Sequence, residues 1–375
     1  MAEPDQETEK GLRDLVCLTM VPGVGPLTSR ALLERFGNAS KVLGASTAAL
    51  RDVPGVGPKL AAKIAAARKE QDAGAEIEKC RHLGVGLVAR GEPGYPPPLG
   101  DIPDPPPLLY VLGEYGPADP LAIAIVGSRR CTPYGLRVAE RLAASLARVG
   151  ITVVSGLARG IDAAAHRGAL KAGGRTIAVV ANGLATVYPP EHAELTEEIA
   201  GRGAVMSEMP LGQEPLAGLF PQRNRLVSGL CLGVVVVEAS PRSGSLSTAR
   251  HAVEQGREVF AVPGPVDSLA SRGCHSLLRD GARLVESVDD ILEELGPLVR
   301  EVRPDPEATP IRHPAELALS DHERSLLGQL DDLPTPIDAL IARTGLTAAQ
   351  VMATLSVLEM RRLVRRVPGN QFLRA

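Results

Sequence analysis

The sequence predicts a multidomain α/β protein whose centre is a Rossmann-like, doubly wound parallel sheet. Three observations predict this fold class. Short apolar, β-branched runs alternate with helical stretches in the middle of the chain, a glycine-rich hexapeptide is repeated near the N-terminus, and a helix-turn-helix pattern followed by a hairpin pattern ends the sequence. A chain of 375 residues is also too long for one ordinary hydrophobic core.

Proline- and glycine-rich segments set the predicted domain limits. We predict an all-α helix-hairpin-helix (SAM-like) domain at 1–84, a Rossmann-like core domain at 85–300, an extended linker at 301–318 and a winged-helix domain at 319–375. Within the core, the proline-rich stretch 93–107 is predicted to be neither helix nor central strand.

Composition restricts the classes of function and the compartment. The five cysteines are scattered without a C-x-x-C pair, which argues against a disulfide framework or a metal site and favours the cytoplasm. No apolar run is long enough for a membrane span, and the acidic N-terminus is not a secretory signal. The formal net charge of −3 and the 2% aromatic content argue against a broadly basic or stacking nucleic-acid binder, so any such site must be local.

The N-terminal repeat indicates two helical hairpins. Val-Pro-Gly-Val-Gly-Pro at 21–26 recurs at 53–58, and helical stretches precede and follow each copy. Glycines allow a tight turn that exposes backbone N–H groups to an anion such as a DNA phosphate, and Lys59 and Lys63 then become candidate accessory DNA contacts. The first copy has Leu27 where the second has Lys59, so a purely structural or protein-binding role stays open.

The predicted core strands lie at 121–126, 151–154, 176–180, 232–237 and 258–262. Ligands of such sheets bind at the carboxyl ends of the strands, so the residues that follow each run are the candidates. The first loop lacks G-x-G-x-x-G, which makes a dinucleotide a poor fit, and it carries Ser128, Arg129 and Arg130 instead.

Thr132 and Pro133 are predicted to cap and begin the helix after this loop. Arg129 and free N–H groups of that helix could then share one phosphate. An internal ion pair between Arg129 and Asp162 is the alternative.

The second loop, 155–162, holds Gly156 and Arg159 and is predicted to form another anion-binding nest. Asp162 and His166 could belong to a hydrolytic Ser/Asp/His set, although their spacing favours a local pair along one helix.

Two further segments supply candidate contacts for phosphate and bases. Phe220 offers a stacking face, whereas Arg223, Asn224 and Arg225 offer donors. A Ser-Gly-Ser run follows the fourth predicted strand and begins a helix, so it is an additional candidate anion site formed by Ser243, Gly244 and Ser245.

These segments resemble the DNA processing protein A family, also called Smf. The resemblance covers about 90–290 and includes, in order, GSRRCTPYG, SGLARGIDAAAH, VYPPEH, FPQRNRLVSGL and SGSLSTARHAVEQGREVFAVPG. It implies a cytoplasmic, dimeric, non-enzymatic protein without a cofactor. Such a protein binds single-stranded DNA, protects incoming strands in natural transformation and loads the recombinase RecA.

The resemblance also implies which residues contact DNA. They are Ser128 and Arg129, the segment 220–225 and the Ser-Gly-Ser run. The core domain has a single lysine, Lys171, so arginines replace the lysines of the family's DNA pocket. Because the chain has few aromatic residues, we expect phosphate capture to supply most of the affinity, with weak sequence preference and a steep salt dependence.

An enzyme of a related Rossmann-like superfamily, the nucleotide-phosphate hydrolases, is the alternative function. These enzymes use a Pro-Gly-Gly-x-Gly-Thr run followed by a catalytic glutamate. The equivalent stretch, 241–248, is not followed by a glutamate until Glu254, so this alternative is disfavoured.

The C-terminal pattern predicts a winged helix, in which Thr347 caps the recognition helix and 368–370 form the tip of the wing. Ser320 and Glu323 have the spacing of a capping box. Candidate contacts to duplex DNA are Arg361, Arg362, Arg365 and Arg366. A protein partner or a simply solvated surface is the alternative.

Overall fold

The computed structural model describes residues 6–302, 321–330, 335–360, 363–367 and 371–374. The chain divides into two compact units, one of residues 1–147 with 151–286 and the other of residues 148–150 with 287–375. The predicted linker from 303 onward, Ser320, Arg361, Arg362 and the wing tip 368–370 lie outside the described residues. The domain limits at 84 and 300 stay predictions.

Six short helices form the N-terminal part of the first unit. They are α1 (Gln6–Thr19), α2 (Pro26–Phe36), α3 (Ala39–Gly44), α4 (Thr47–Arg51), α5 (Pro58–Glu70) and α6 (Ala73–His82). The predicted hairpins are present, since helices flank both copies of the hexapeptide. Gly23 and Gly55 adopt φ of +103° and +83° in the two turns, a conformation that favours glycine.

The N-terminal helices share a hydrophobic core with the edge of the sheet. Leu32, Leu50 and Ile64 are fully buried in a cluster that also contains Tyr110 of the sheet and Leu211 of a loop. The Glu76 side chain of α6 accepts a hydrogen bond of 2.7 Å from the Leu211 N–H group. This continuous packing joins the helical hairpins to the sheet within one unit.

Nine strands form the sheet of the first unit. They are β1 (Val85–Ala89), β2 (Leu108–Gly113), β3 (Ala122–Val126), β4 (Thr152–Ser155), β5 (Thr176–Val179), β6 (Ala204–Ser207), β7 (Gly233–Val236), β8 (Glu258–Ala261) and β9 (Arg283–Leu284). Their order is β1-β2-β6-β5-β4-β3-β7-β8-β9. The seven strands from β6 to β9 in this sheet order, which include β3, β4 and β5, are parallel to one another. The strands β2 and β1 extend the sheet beyond β6 as an antiparallel edge.

This topology confirms the doubly wound core and fixes its switch point. The chain runs outward from β3 through β4, β5 and β6, and then returns to β7 on the other side of β3. A crevice opens where the winding direction reverses, at the carboxyl ends of β3 and β7. All five predicted strands are present, and β1, β2, β6 and β9 are additional.

Helices cover the sheet and connect its strands. They are α7 (Pro97–Gly100), α8 (Pro133–Arg148), α9 (Ile161–Lys171), α10 (Ala193–Arg202), α11 (Leu219–Gly229), α12 (Ser245–Glu254) and α13 (Arg272–Arg279), with a 3-10 turn at Pro190–His192. The prediction that 93–107 contains no helix was wrong, since α7 forms one turn there with prolines in its first positions. Residues 219–229, which hold the candidate contacts of the third segment, form α11 between β6 and β7.

The second unit contains the predicted winged helix. Its elements are α14 (Val288–Val302), α15 (Asp321–Leu327), β10 (Thr335–Pro336), α16 (Ile337–Thr344), α17 (Ala348–Met360), β11 (Val364–Val367) and β12 (Gln371–Arg374). The three strands form an antiparallel sheet in the order β10-β12-β11. Thr347 caps α17 as predicted, because its hydroxyl accepts from the Gln350 N–H group at 3.4 Å and the Gln350 side chain accepts from Thr347 N at 3.0 Å.

Among the described residues, no single helix has the length and apolarity to cross a bilayer, and α16 with α17 passes that test only as a pair bent by 111°. In the same residues, no three histidine, cysteine, aspartate or glutamate side chains come together as metal ligands.

Candidate functional site

An open cavity of about 740 Å³ lies at the carboxyl ends of β3, β4 and β7, beside the switch point. It collects residues from all four segments singled out in the sequence. The predicted contacts that line it are Ser128, Arg129, Arg130, Gly156, Phe220, Arg223, Asn224, Ser243, Gly244 and Ser245. Segments more than 100 residues apart in the chain therefore meet in one place.

Exposed Arg129 and half-buried Phe220 form the rim of this cavity. The guanidinium carbon of Arg129 lies 4.7 Å from the centre of the Phe220 ring, within the range of a cation–π contact. The Phe220 ring in turn lies 5.9 Å from the ring of Tyr188, tilted by 56°. Arg129 is exposed, so its charge reaches solvent while its guanidinium contacts the Phe220 ring.

Arg223 lies in the floor of the cavity, where only 5% of the residue is exposed. Its Nη1 group donates to the Gly156 carbonyl at 2.6 Å and to the Val179 carbonyl. Burial lowers the pKa of the guanidinium to about 10. The charge of Arg129 lowers this pKa further, whereas the nearby Asp162 carboxylate raises it. Arg223 therefore joins α11 to the ends of β4 and β5.

Gly156 makes room for that guanidinium. A Cβ atom at position 156 would lie 2.4 Å from Nη1 of Arg223 and 2.6 Å from its Cζ, distances that no side chain tolerates. The close approach of the Arg223 guanidinium to the backbone thus requires glycine here. Gly156 serves the site through this packing as well as by lining the cavity.

The second loop is already filled by a carboxylate of the chain itself. Asp162 accepts hydrogen bonds from the N–H groups of Gly156 at 3.2 Å and Ala158 at 3.3 Å. Desolvation raises the pKa of this buried carboxyl, and Arg223 and the two N–H groups oppose the shift. The prediction of an open anion nest at 155–162 was therefore wrong.

Neither alternative role of Asp162 is present. Among the described residues, no ion pair within 4.0 Å joins it to Arg129, which lies over Phe220 instead. His166 is fully buried, and its Nδ1 lies 2.7 Å from the Thr176 hydroxyl. The predicted pair of Asp162 and His166 along one helix does not form, because the two side chains bind different partners.

The first loop is held by Glu238, which follows β7. One Glu238 oxygen accepts from the Thr132 N–H group at 2.8 Å and the other from its hydroxyl at 2.6 Å. Thr132 caps α8 as predicted, since its hydroxyl also accepts from the Gly135 N–H group at 3.2 Å. The idea that this helix start is free for a phosphate was wrong, because a buried carboxylate occupies it.

The start of α12 is arranged differently. The hydroxyls of Ser243 and Ser245 lie 2.8 Å apart, and the Ser243 hydroxyl accepts from the Ser245 N–H group at 3.4 Å. The Asn224 amide donates to the Gly244 carbonyl at 3.2 Å, which ties this loop to α11. Two hydroxyls at the start of α12 therefore line the same cavity as Arg129.

Arg225 does not line the cavity in which the other candidate residues of α11 lie. Only 3% of its side chain is exposed, its Nε lies 2.9 Å from Asp104, and its Nη2 donates to Glu208. Both carboxylates are partly or fully buried, and burial raises the pKa of Glu208 against the opposing effect of Arg225. Arg225 is thus an internal ion-pairing residue, which contradicts the prediction that it contacts DNA.

Arg159 lies beside the main cavity, in an exposed bidentate pair with Glu191. A smaller cavity of about 20 Å³ contains Arg159 and shares Arg129 and Phe220 with the larger one. Sequence reasoning did not select Tyr188, which lines this smaller cavity. Its position in VYPPEH, after β5, was the signal that could have found it.

The accessory candidates that the structure describes, Lys59, Lys63, Arg365 and Arg366, are exposed and do not line this cavity. Lys59 and Lys63 are on α5, and the Lys63 ammonium lies 3.5 Å from the Pro22 carbonyl of the first hairpin. Arg365 and Arg366 are exposed on β11, with the Arg366 guanidinium 5.7 Å from the Phe372 ring. Between Ala348 and Ser356, α17 contains no lysine or arginine, so the predicted recognition helix offers no cation there.

Comparisons with known proteins give the family. Residues 86–296 match the family described as DNA recombination-mediator protein A, and residues 309–370 match the DprA winged helix domain. The chain belongs to the DNA recombination-mediator protein A family. Residues 17–70 also match the SAM-like helix-hairpin-helix tandem, in agreement with the two hairpins.

Curated relatives support membership of the recombination-mediator family along almost the whole chain. Protein Smf of Synechocystis sp. is 35% identical and aligns over 95% of this chain and 97% of its own. Protein Smf of Escherichia coli is 43% identical over 76% of each chain. DNA processing protein DprA of Streptococcus pneumoniae is 45% identical over 53% of this chain and 71% of its own.

Two solved structures have the same core fold. The X-ray structure of DNA processing protein A from Streptococcus pneumoniae covers 78% of this chain and 99% of its own, with a TM-score of 0.65 and 34% identity. DNA processing protein A from Helicobacter pylori covers 59% and 98%, with a TM-score of 0.52 and 32% identity. That protein is described as having a unique single-stranded DNA binding mode.

Proposed function

We propose that this protein is a recombination mediator that binds single-stranded DNA in the cavity at the switch point of its sheet. The observation that carries the proposal is the convergence of Arg129, Phe220 and the Ser-Gly-Ser loop on one open cavity. The family, and the single-stranded DNA binding mode described for the Helicobacter pylori relative, support the same ligand.

The residues have complementary roles in this proposal. Exposed Arg129 and Arg130 attract phosphates at the rim, and Phe220 offers one face to a base. The hydroxyls of Ser243 and Ser245, at the start of α12, donate hydrogen bonds to a backbone phosphate. Arg223 and Gly156 hold the floor in shape, and Arg159 lies at the adjoining edge.

A binding titration tests this site. We expect Arg129→Ala to weaken binding of a fluorescent oligothymidylate about tenfold, since it removes a charge-assisted contact at the rim. Arg167→Ala is the matched control, because Arg167 is an exposed arginine on α9 that does not line the cavity. Fluorescence anisotropy measures both affinities, and circular dichroism verifies that the variants are folded.

Equal affinities of Arg129→Ala, Arg167→Ala and the unmodified protein would contradict the site. Loss of binding in both variants would indicate a diffuse electrostatic effect rather than a pocket. Repeating the titration with duplex DNA separates a preference for single strands from general attraction to phosphate.

The mediator role extends the proposal to two protein partners. We propose that the protein loads the recombinase RecA onto the strand that it protects, and that it acts as a homodimer through the sheet domain during natural transformation. Its five free cysteines suit the reducing cytoplasm, where these steps take place. The family supports this role.

RecA nucleation on DNA already covered by a single-strand-binding protein tests the loading step. We expect the unmodified protein to shorten the lag of RecA-dependent ATP hydrolysis, and Arg129→Ala to lose most of this effect. A lag that the unmodified protein does not change contradicts loading, and a single monomeric mass in light scattering contradicts the dimer.

Duplex DNA contacts by Lys59, Lys63 and the winged helix remain accessory proposals. Arg365 and Arg366 support them because both are exposed. The uncharged stretch of α17 instead favours a protein partner for the recognition helix. Deletion of residues 309–375 tests the winged helix, since duplex affinity should fall if it contributes while single-strand affinity stays unchanged.

Nothing in the described site favours a hydrolase. Glu254 is the last residue of α12, at the end opposite the cavity, and the Glu238 carboxylate is engaged by Thr132. We therefore propose no catalytic residue.

A further inference from the structure

The sheet of this protein has the topology of a nucleotide-binding fold, yet the chain's own carboxylates occupy the positions where such a fold offers N–H groups to phosphate. The loop after β3 and the start of α8 form the first position, and the loop after β4 forms the second. Glu238 fills the first and Asp162 fills the second.

The fit of Glu238 at the first position is close. Glu238 is 4% exposed, and its two carboxylate oxygens accept hydrogen bonds from the N–H group and the hydroxyl of Thr132. A Cβ atom at Gly135 would lie 2.5 Å from the carboxylate carbon, so glycine leaves the space into which the carboxylate fits. Two donors, the helix start and this space together surround the carboxylate as they would surround a bound oxyanion.

The second position repeats the arrangement with a different residue. The Asp162 carboxylate accepts hydrogen bonds from the N–H groups of Gly156 and Ala158. The next donor of this region, the Ile161 N–H group, donates to the Ser128 carbonyl at 3.3 Å. Asp162 lines the cavity, so its carboxyl group lies where a ligand would reach the floor.

We infer that Glu238 and Asp162 are specificity-determining residues that exclude phosphate from both positions. A free nucleotide, whose terminal phosphate carries up to two negative charges, gains no N–H cradle there and is repelled by the carboxylates. An oligonucleotide is accepted because its phosphates reach the cations and hydroxyls at the rim. The identity of that intended ligand rests on the proposed function, whereas the exclusion of phosphate does not.

The unmodified protein gives the first test. We expect deoxythymidine monophosphate and inorganic phosphate to show no saturable binding by calorimetry at constant ionic strength. Oligothymidylates with and without a 5′-phosphate should bind within about twofold of each other, since a terminal phosphate finds no cradle. Binding of the monophosphate at least tenfold more tightly than thymidine would overturn the inference, whatever the variants do.

Glu238→Ala gives the second test. Removing the side chain opens the oxyanion position, so we expect the affinity for inorganic phosphate to rise about tenfold and the melting temperature to increase saturably with phosphate. Glu76→Ala is the matched control, because Glu76 is also buried and accepts a backbone N–H group, but not at a helix start. Equal responses of the two folded variants to phosphate would overturn the inference.

A second variant covers the case in which Glu238→Ala does not fold. Thr132→Val removes the hydroxyl that binds Glu238 while the carboxylate remains, so it should stay unresponsive to phosphate. A phosphate response in Thr132→Val contradicts the exclusion by charge. An oligothymidylate titration on the same samples tests the proposed function separately, since absent binding there leaves the phosphate results intact.

Discussion

The guanidinium of Arg129 lies over the Phe220 ring, with its central carbon 4.7 Å from the ring centre. This contact joins the loop after β3 to the first turn of α11, two segments that the chain separates by about 90 residues. It positions a cation and an aromatic face together at the mouth of the cavity. The two side chains should therefore act on a bound strand as one unit.

Phe220→Leu should weaken oligothymidylate binding roughly tenfold, because stacking on an aromatic ring contributes on the order of 1–3 kcal/mol per base. Combined with Arg129→Ala, the loss should be smaller than the product of the two single losses, since each residue supports the other. Anisotropy titrations of the two single variants and the double variant measure this coupling. Strictly multiplicative losses would indicate two independent contacts.

The logarithm of the binding constant should fall linearly with the logarithm of salt concentration. For single strands the slope is about −0.7 per neutralised phosphate, so Arg129→Ala should make it shallower by about 0.7. Phe220→Leu should lower the affinity without changing the slope, because it removes no charge. Titrations between 50 and 300 mM salt, roughly the range in which such slopes are resolved, make the comparison. A slope that neither variant alters would place phosphate capture elsewhere.

Arg225→Ala should destabilise the fold rather than remove a DNA contact. The substitution leaves Asp104 and Glu208 without their shared cation, and breaking a buried pair costs about 3–5 kcal/mol. Urea unfolding measures the loss, and Arg130→Ala, at an exposed arginine of the cavity rim, should unfold like the unmodified protein. Unchanged stability together with lost DNA affinity would restore the original prediction for Arg225.

His166 should make stability depend on pH. Burial lowers the pKa of its imidazole to about 3, against about 6.5 in an unfolded chain, so the unfolded state binds the extra proton between these values. The stability that neutral His166 provides above pH 6.5 is lost as the pH falls, by about 2 kcal/mol at pH 5. The Thr176 hydroxyl donates to Val153, so it accepts from Nδ1–H of the neutral ring.

His166→Asn tests this assignment, because its amide can still donate to Thr176 but does not titrate. Urea unfolding at pH 7.5 and pH 5 should show a smaller change in stability for the variant than for the unmodified protein. The same change in both would assign the pH dependence to other groups.

Much of the fold was predictable because its signals are local. Apolar runs such as 232–237 are long enough to mark buried strands, and the positive φ of Gly23 and Gly55 is a property of glycine itself. The strands β1 and β2 were missed because they form the antiparallel edge and flank a proline-rich segment. Their pairing depends on partners far away in the chain.

The candidate site was also predictable only where its signals are local. The residue types at 127–130, 220–224 and 243–245 predicted a phosphate-binding surface, and the structure brings these three segments together around one cavity. The occupants of the helix starts could not be deduced. Glu238 is more than 100 residues from Thr132, and no periodicity links the two.

The sequence by itself determined the class of fold, the helical hairpins, the winged helix and the set of side chains available for a nucleic-acid backbone. Only the tertiary structure decided which of the arginines line the cavity. Arg223 and Arg225 are two positions apart in α11, yet one forms the floor of the cavity and the other an internal ion pair. The reason is that a helix turns by about 100° per residue, so neighbours in sequence meet different surroundings that long-range packing supplies.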